Sequence, residues 1–284
     1  MPLIPLVLGH EGIGIVEELG PGVEQLRVGD RVGIGFLYRS CGECSSCRAG
    51  HENYCAKRLE TGYTAHGALA EYALAAAAFV ARIPDNLPPV QAAPLCCAGL
   101  TAYKALRTAG LEAGEWVVLF GAGGLGHLAI QIAKHWGLKV AVVDVVPEKL
   151  EQAVRLGADL AINGAVQKPK DALRPMGGAA AAITFTGSKA AIEQAFPTLR
   201  TNGILVLAGL CTEPVNLPVL STVLQAQRIS GIFIGTPRDL QEIVDLAASG
   251  VLHVAVETCR LDDVPAMFER MRLGQIPGRA VVTF

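Results

Sequence analysis

Residues 116–144 read WVVLFGAGGLGHLAIQIAKHWGLKVAVVD, and this stretch decides the fold. A strand-like apolar run, WVVLF, passes directly into Gly121-Ala122-Gly123-Gly124-Leu125-Gly126. The helix that follows puts Leu128, Ala129, Ile132, Ala133 and Trp136 on one face. Gly137 then leads into a second strand, KVAVVD. A lone G-x-G-x-x-G is weak in so glycine-rich a chain, but the strand before it and the helix after it supply the context that binds a dinucleotide. The first glycine permits a tight turn, the second lets backbone approach a pyrophosphate, and the third lets helix pack on strand. The helix start offers unpaired N–H groups to the phosphates.

Asp144 follows Gly121 by 23 residues, at the end of the second strand, where a carboxylate accepts hydrogen bonds from the adenosine ribose hydroxyls. It repels a 2′-phosphate, and Val145 and Val146 offer no positive charge to hold one, so the pattern favours NAD over NADP. Lys149 is placed to contact the ribose, or else is a solvated lysine of the next helix.

Outward from this stretch, residues 99–236 alternate apolar runs with helix-length amphipathic segments. The runs are 117–120, 140–144, 160–162, 182–185, 204–208 and 229–234. Such alternation predicts an α/β domain with a doubly wound parallel sheet. Residues 1–98 are rich in Gly and Pro and carry only short extended runs, as irregular β structure does. Beyond Thr236-Pro237 a helix ending at Gly250 precedes two short strands, VAVETC and RAVVTF, which are expected to return to the first half. The expected divisions are therefore 1–98, 99–236 and 237–284.

Of 284 residues, 51% are hydrophobic and 18% charged, which excludes intrinsic disorder. With 24 Lys and Arg against 26 Asp and Glu and no dense basic run, the chain lacks the electrostatic footprint of a nucleic-acid binder. The longest apolar run, 72–81, is half of what spans a bilayer, and the apolar start lacks a basic flank and cleavage site. The default setting is the reducing cytoplasm.

Four of the eight cysteines fall between residues 41 and 55: Cys41, Cys44, Cys47 and Cys55, spaced C-x2-C-x2-C-x7-C. Gly42, Ser45, Ser46 and Gly50 let the backbone curl between them. Four thiolates suit tetrahedral zinc in a closed structural site. An iron–sulfur cluster is the rival, although the bacterial ferredoxin run puts its fourth Cys three residues on and before Pro, whereas Cys55 precedes Ala56.

Three separated motifs now agree. GHEGIGIVEELGPGV (9–23), the four-cysteine lobe, and APLCCAGLTAYKAL (93–106) ahead of GAGGLG together resemble the zinc-containing alcohol dehydrogenases of the medium-chain dehydrogenase/reductase superfamily, of the bacterial and yeast type. The resemblance covers essentially the whole chain. It implies a GroES-like catalytic domain with a structural zinc lobe (41–55), a Rossmann domain that binds NAD, and a catalytic zinc in the cleft. By resemblance His10 and Cys97 are catalytic-zinc ligands and Glu11 stands behind the metal. Thr101 lies near the nicotinamide, Arg279 approaches the pyrophosphate, and Phe36 lines the substrate pocket. Cys96, Cys211 and Cys259 are then spare, and His51, His66, His127 and His135 are surface or packing residues.

In the family the first catalytic ligand is a cysteine roughly twenty residues before the Gly-His-Glu motif. Only eight residues precede Gly9 here, so that segment is absent from the sequence in hand. With His10 and Cys97 alone, where three protein ligands are needed, NAD and structural zinc are expected to be retained and catalytic zinc weakened or lost. Glu11 could substitute as a ligand. The leading expectation is an NAD-dependent zinc alcohol dehydrogenase acting on a primary or short-chain alcohol or its aldehyde. The alternative is a catalytically impaired NAD-binding remnant or structural subunit. Homodimers or homotetramers are expected through the last Rossmann strand, RISGIFIG.

Overall fold

The computed structural model describes residues 3–276 and 278–284. The chain forms two compact units, one of residues 1–100 with 233–284 and the other of residues 101–232.

The first unit begins with β1 (Gly12–Ile15), β2 (Arg31–Ile34), β3 (Leu37–Arg39), β4 (Leu59–Glu60) and β5 (Val80–Arg82). β2 pairs antiparallel with both β1 and β5, while β3 pairs separately with β4. Strands of two to four residues are what a Gly- and Pro-rich segment can sustain, since each glycine or proline interrupts a ladder. A one-turn helix, α1 (Ser45–Arg48), lies within the cysteine lobe, and α2 (Pro89–Ala92) precedes the longer α3 (Ala98–Ala109).

The second unit is a six-stranded sheet of β6 (Trp116–Phe120), β7 (Lys139–Asp144), β8 (Leu160–Asn163), β9 (Ala179–Thr184), β10 (Leu199–Leu207) and β11 (Arg228–Gly231). Every pairing is parallel, and the spatial order is β11-β10-β9-β6-β7-β8. Helices α4 (Gly126–His135), α5 (Pro147–Arg155), α6 (Pro169–Leu173), α7 (Lys189–Ala195) and α8 (Val219–Leu224) intervene. The order is that of the doubly wound dinucleotide-binding fold, whose strand direction of travel reverses between β6 and β9. Val118, Phe120, Ala141, Val143, Ile162, Ala182 and Leu205 from five strands form one core with Leu173, Ile192 and Phe196. On α4, Leu128, Ala129, Ile132 and Ala133 are buried as the periodicity requires, and Trp136 at its end meets the Tyr103 ring edge-on at 5.6 Å.

The final segment belongs to the first unit. α9 (Pro237–Ala248) starts at a capping box in which Thr236 and Asp239 exchange hydrogen bonds. β12 (Val256–Cys259) and β13 (Arg279–Val282) pair parallel to each other across α10 (Val264–Arg272). Three strand runs differ from expectation, one of them 204–208, whose strand already begins at Leu199. Residues 229–234 are extended only to Gly231, because Ile234 adopts a positive φ of 44° and the chain turns away. Residues 182–185 begin as strand three residues earlier, at Ala179, since an alanine run gives no apolar contrast by which to read its start.

Candidate functional site

The cysteine lobe is held together by sulfur. Cys41 Sγ lies 3.5 Å from Cys55 Sγ and 3.9 Å from Cys47 Sγ, and Cys44 Sγ is 3.5 Å from Cys47 Sγ. All four sulfurs lie within 4.8 Å of one another. Disulfides are excluded, since their S–S bond is about 2.05 Å and all eight cysteines are free. A tetrahedral ion with Zn–S near 2.3 Å needs sulfurs about 3.8 Å apart, which this cage offers. A multi-iron cluster would place irons and sulfides between the thiolates and demands a wider one. Backbone N–H groups of Glu43 and Cys44 draw the Cys41 thiol down to about 6, whereas at Cys44 the pull of the Cys47 amide is outweighed by the neighbouring sulfurs and burial together, which hold that thiol up at about 11. The Cys41 and Lys57 amides also donate to Cys55 Sγ, at 3.5 and 3.3 Å, the kind of outer-shell contact that orients ligands. The lobe fits zinc.

The second site of the first unit surrounds His10. Its ring meets Phe36 edge-on at 5.1 Å, and Phe36 meets Phe233 at 5.9 Å. Burial lowers the His10 pKa, the Glu11 carboxylate opposes that shift and the Arg279 guanidinium adds to it. The net direction leaves a neutral imidazole, as a metal ligand must be. Glu11 Oε1 accepts from the Ala98 amide at 3.2 Å, and Glu11 Oε2 pairs with the Arg279 guanidinium. One carboxylate thus ties the Gly-His-Glu segment to the residue after Cys97 and to β13. Glu11 is thus engaged on both oxygens. Cys96 is fully buried, with its Sγ 3.9 Å from the Ala92 carbonyl, and desolvation keeps its thiol protonated. Cys97 is only half-buried and adopts a distinct backbone conformation at the head of α3. Among the described residues, the only group of three or more His, Cys, Asp or Glu close enough to hold an ion is the four-cysteine cage. His10 carries an imidazole and Cys97 a sulfur, donor types that a catalytic zinc takes.

The second unit holds the dinucleotide cradle. Gly121 has φ +98°, in the left-handed region, and a Cβ on Gly126 would stand 1.9 Å from the Gly121 carbonyl oxygen. Leu125, the residue capping α4, makes no side-chain cap, which leaves the helix start open to an anion. Asp144 Oδ2 accepts from the Ala122 amide at 2.8 Å, and Oδ1 from Val145 and Val146 at 2.8 and 3.1 Å. The carboxylate is thereby locked beside the glycine turn. Lys149 Nζ reaches within 4.0 Å of where a Gly123 side chain would begin. Gly124 and Leu125 complete the turn before the helix. An open cradle at Gly123 flanked by a fixed carboxylate fits a dinucleotide such as NAD.

Thr101 is buried on α3, and Arg279 is turned onto Glu11 rather than left free. The structure adds contacts that sequence reading did not give, and makes His127, read as a surface or packing residue, a packing one. His127 is buried, and its Nδ1 lies 3.0 Å from the Gly123 carbonyl, so it braces the glycine turn. Its place directly after the last motif glycine was the available signal. Asn53, Tyr54 and Phe233 are joined across some 180 residues, for which no local spacing gives a sign.

Together, the fold and the two sites of cysteine and glycine define a zinc-binding dehydrogenase. Residues 1–85 match the family model of the alcohol dehydrogenase GroES-like domain, and residues 124–249 that of the zinc-binding dehydrogenases. An alcohol dehydrogenase of Geobacillus stearothermophilus is 47% identical over 282 residues, covering 99% of this chain and 83% of the relative. The crystal structure of the alcohol dehydrogenase from Aeropyrum pernix superposes with TM-score 0.91 at 32% identity, over 99% of this chain and 84% of that one. Acetophenone reductase from Geotrichum candidum, solved with NAD, gives TM-score 0.87 at 28% identity, over 98% and 82%. The chain belongs to the zinc-containing alcohol dehydrogenases of the medium-chain dehydrogenase/reductase superfamily, and it is an alcohol oxidoreductase. Kinship of this extent speaks against the non-catalytic reading.

Proposed function

We propose that the protein transfers hydride between a primary or short-chain alcohol and NAD, interconverting the alcohol with its aldehyde or ketone. The observation that carries this reading is the double engagement of Glu11, which gathers the His10 segment, the Cys97 segment and Arg279 within one unit. When bound, zinc supplies Lewis-acid polarisation of the alcohol oxygen and NAD accepts the hydride. The chain's own groups do the rest. His10 and Cys97 would hold the metal, with Glu11 behind them accepting from the Ala98 amide. Phe36 offers an apolar edge to the carbon chain of the alcohol, and Thr101 carries a buried hydroxyl on α3. Gly121, Gly123, Gly124, Leu125 and Gly126 hold the pyrophosphate, and Asp144 takes the adenosine ribose with Lys149 beside it. Arg279 is held by Glu11 within the first unit.

NADH formation at 340 nm with a panel of short alcohols, with zinc added and with NADP in parallel, tests the reading. Oxidation of short primary alcohols with at least tenfold preference for NAD supports it. Turnover restricted to NADP, or none with any alcohol in zinc-replete protein, refutes it.

Association of copies belongs to the same proposal. β11 is an edge strand, and Val219, Leu220, Val223 and Leu224 on α8 are each more than 70% exposed. An unpaired strand edge and an exposed apolar helix face are surfaces that association of copies would cover. Light scattering should give a dimer or tetramer, and Ile229→Lys on β11 should shift it toward monomer. Free thiols throughout suit a cytoplasmic setting. Among the described residues no helix is long and apolar enough to cross a membrane.

A further inference from the structure

We infer that the cysteine lobe positions the aromatic wall beside His10 through Asn53 and Tyr54, the two residues directly before the metal ligand Cys55. Asn53 is fully buried, and its Nδ2 donates to the Phe233 carbonyl at 2.7 Å. The Phe233 amide in turn donates to Tyr54 Oη at 3.2 Å. Consecutive residues of the lobe thus take both backbone polar groups of one residue far away in sequence.

Phe233 needs such a grip. β11 ends at Gly231, so no strand ladder holds residue 233. The next residue, Ile234, has φ +44°, a conformation that β-branched side chains rarely adopt and that persists only where the surroundings impose it. At Gly235 a Cβ would stand 2.4 Å from Leu100 Cδ1, so the backbone there lies close against that side chain. The Asn53 amide is oriented by its one bond, since a carbonyl accepts only from the NH2 group. Its Oδ1 is buried without a partner, an arrangement that is unfavourable and that leaves the Nδ2 contact as the one the side chain serves.

The grip extends to the ring. Arg58, three residues after Cys55, sets its guanidinium 4.8 Å from the Phe233 ring centre and is itself held by Glu60 at 2.9 Å. Phe233 packs edge-on against Phe36, and Phe36 against His10. A shift of the lobe therefore passes through Phe233 to the apolar face beside the histidine. Asn53 and Tyr54 are positioning residues. Their effect on catalysis rests on the alcohol site proposed above, whereas their hold on Phe233 does not.

The test uses the zinc-loaded protein and two variants, Tyr54→Phe at an exposed position and Asn53→Ala at the buried one. Hydrogen exchange across residues 230–236, followed by mass spectrometry, should quicken about fivefold at the Phe233 amide in Tyr54→Phe, the factor for one net hydrogen bond. Zinc per chain should be unchanged. The alcohol KM should rise about threefold in Tyr54→Phe and further in Asn53→Ala, with the KM for NAD unmoved. Unchanged exchange in Tyr54→Phe overturns the inference. So does a KM for NAD that rises in step with that for the alcohol, or an alcohol KM that stays put. A wild-type protein that oxidises no alcohol refutes the functional reading alone, and the exchange result still decides whether the lobe holds Phe233.

Discussion

Two alanine substitutions three residues apart in the glycine turn should have opposite consequences. At Gly126 an added Cβ lies 1.9 Å from the Gly121 carbonyl oxygen, where real contacts essentially never fall below 3.0 Å. Relief of more than 1 Å is required at the joint between β6 and α4, and the obstacle is backbone, which no rotamer change can clear. Overpacking of this severity costs about 3 kcal/mol. For a unit of this size that is a fall in melting temperature of about 10 °C. At Gly123 the nearest atom to an added Cβ is Lys149 Nζ, at 4.0 Å, so Gly123→Ala should melt within about 2 °C of wild type. Its methyl would nevertheless occupy the space through which a phosphate oxygen must come to about 2.9 Å of the loop N–H groups. NAD affinity should fall at least tenfold, about 1.4 kcal/mol. Calorimetric melts and NAD titration of both variants provide the comparison. Equal destabilisation of the two, or wild-type NAD affinity in Gly123→Ala, would refute the reasoning.

Other outcomes follow from the two sites. Replacing Cys47 with Ser, or stripping the metal with a chelator, should unfold residues 41–60 locally and leave NAD binding by the second unit intact; hydrogen exchange mapped against NAD titration reads both. Asp144→Ser should reduce the preference for NAD over NADP at least tenfold, because the carboxylate that repels a 2′-phosphate is gone; the kcat/KM ratio for the two cofactors measures it. Burial first, with Arg279 adding and Glu11 opposing, holds His10 below its ordinary 6.5 in the folded state. The unfolded chain therefore binds more protons as pH falls through 6.5, and stability present above that value declines below it. Urea midpoints at pH 7.5 and 5.5 should differ more for wild type than for His10→Gln.

The glycine turn and the cysteine lobe were legible in sequence because their chemistry is local. Gly121 to Asp144 spans one strand-helix-strand unit, and the parallel sheet that surrounds it follows from apolar runs spaced by helices. Four sulfurs within fifteen residues reach one ion because the intervening glycines and serines set the turns, so spacing alone predicts a cage. His10 and Cys97 were readable only through family resemblance, since 86 residues separate them and neither carries a local pattern. Tertiary structure alone shows what Glu11 is bonded to. Its partners are Ala98 and Arg279, 87 and 268 residues away, and no spacing rule predicts that both carboxylate oxygens are spoken for. The same holds for the lobe's grip on Phe233 and for His127 against Gly123. Sequence determined which groups the chain can offer to zinc and to a dinucleotide. Folding decided which of them are already committed to one another, because a hydrogen bond or ring contact depends on distance in space and is blind to distance along the chain.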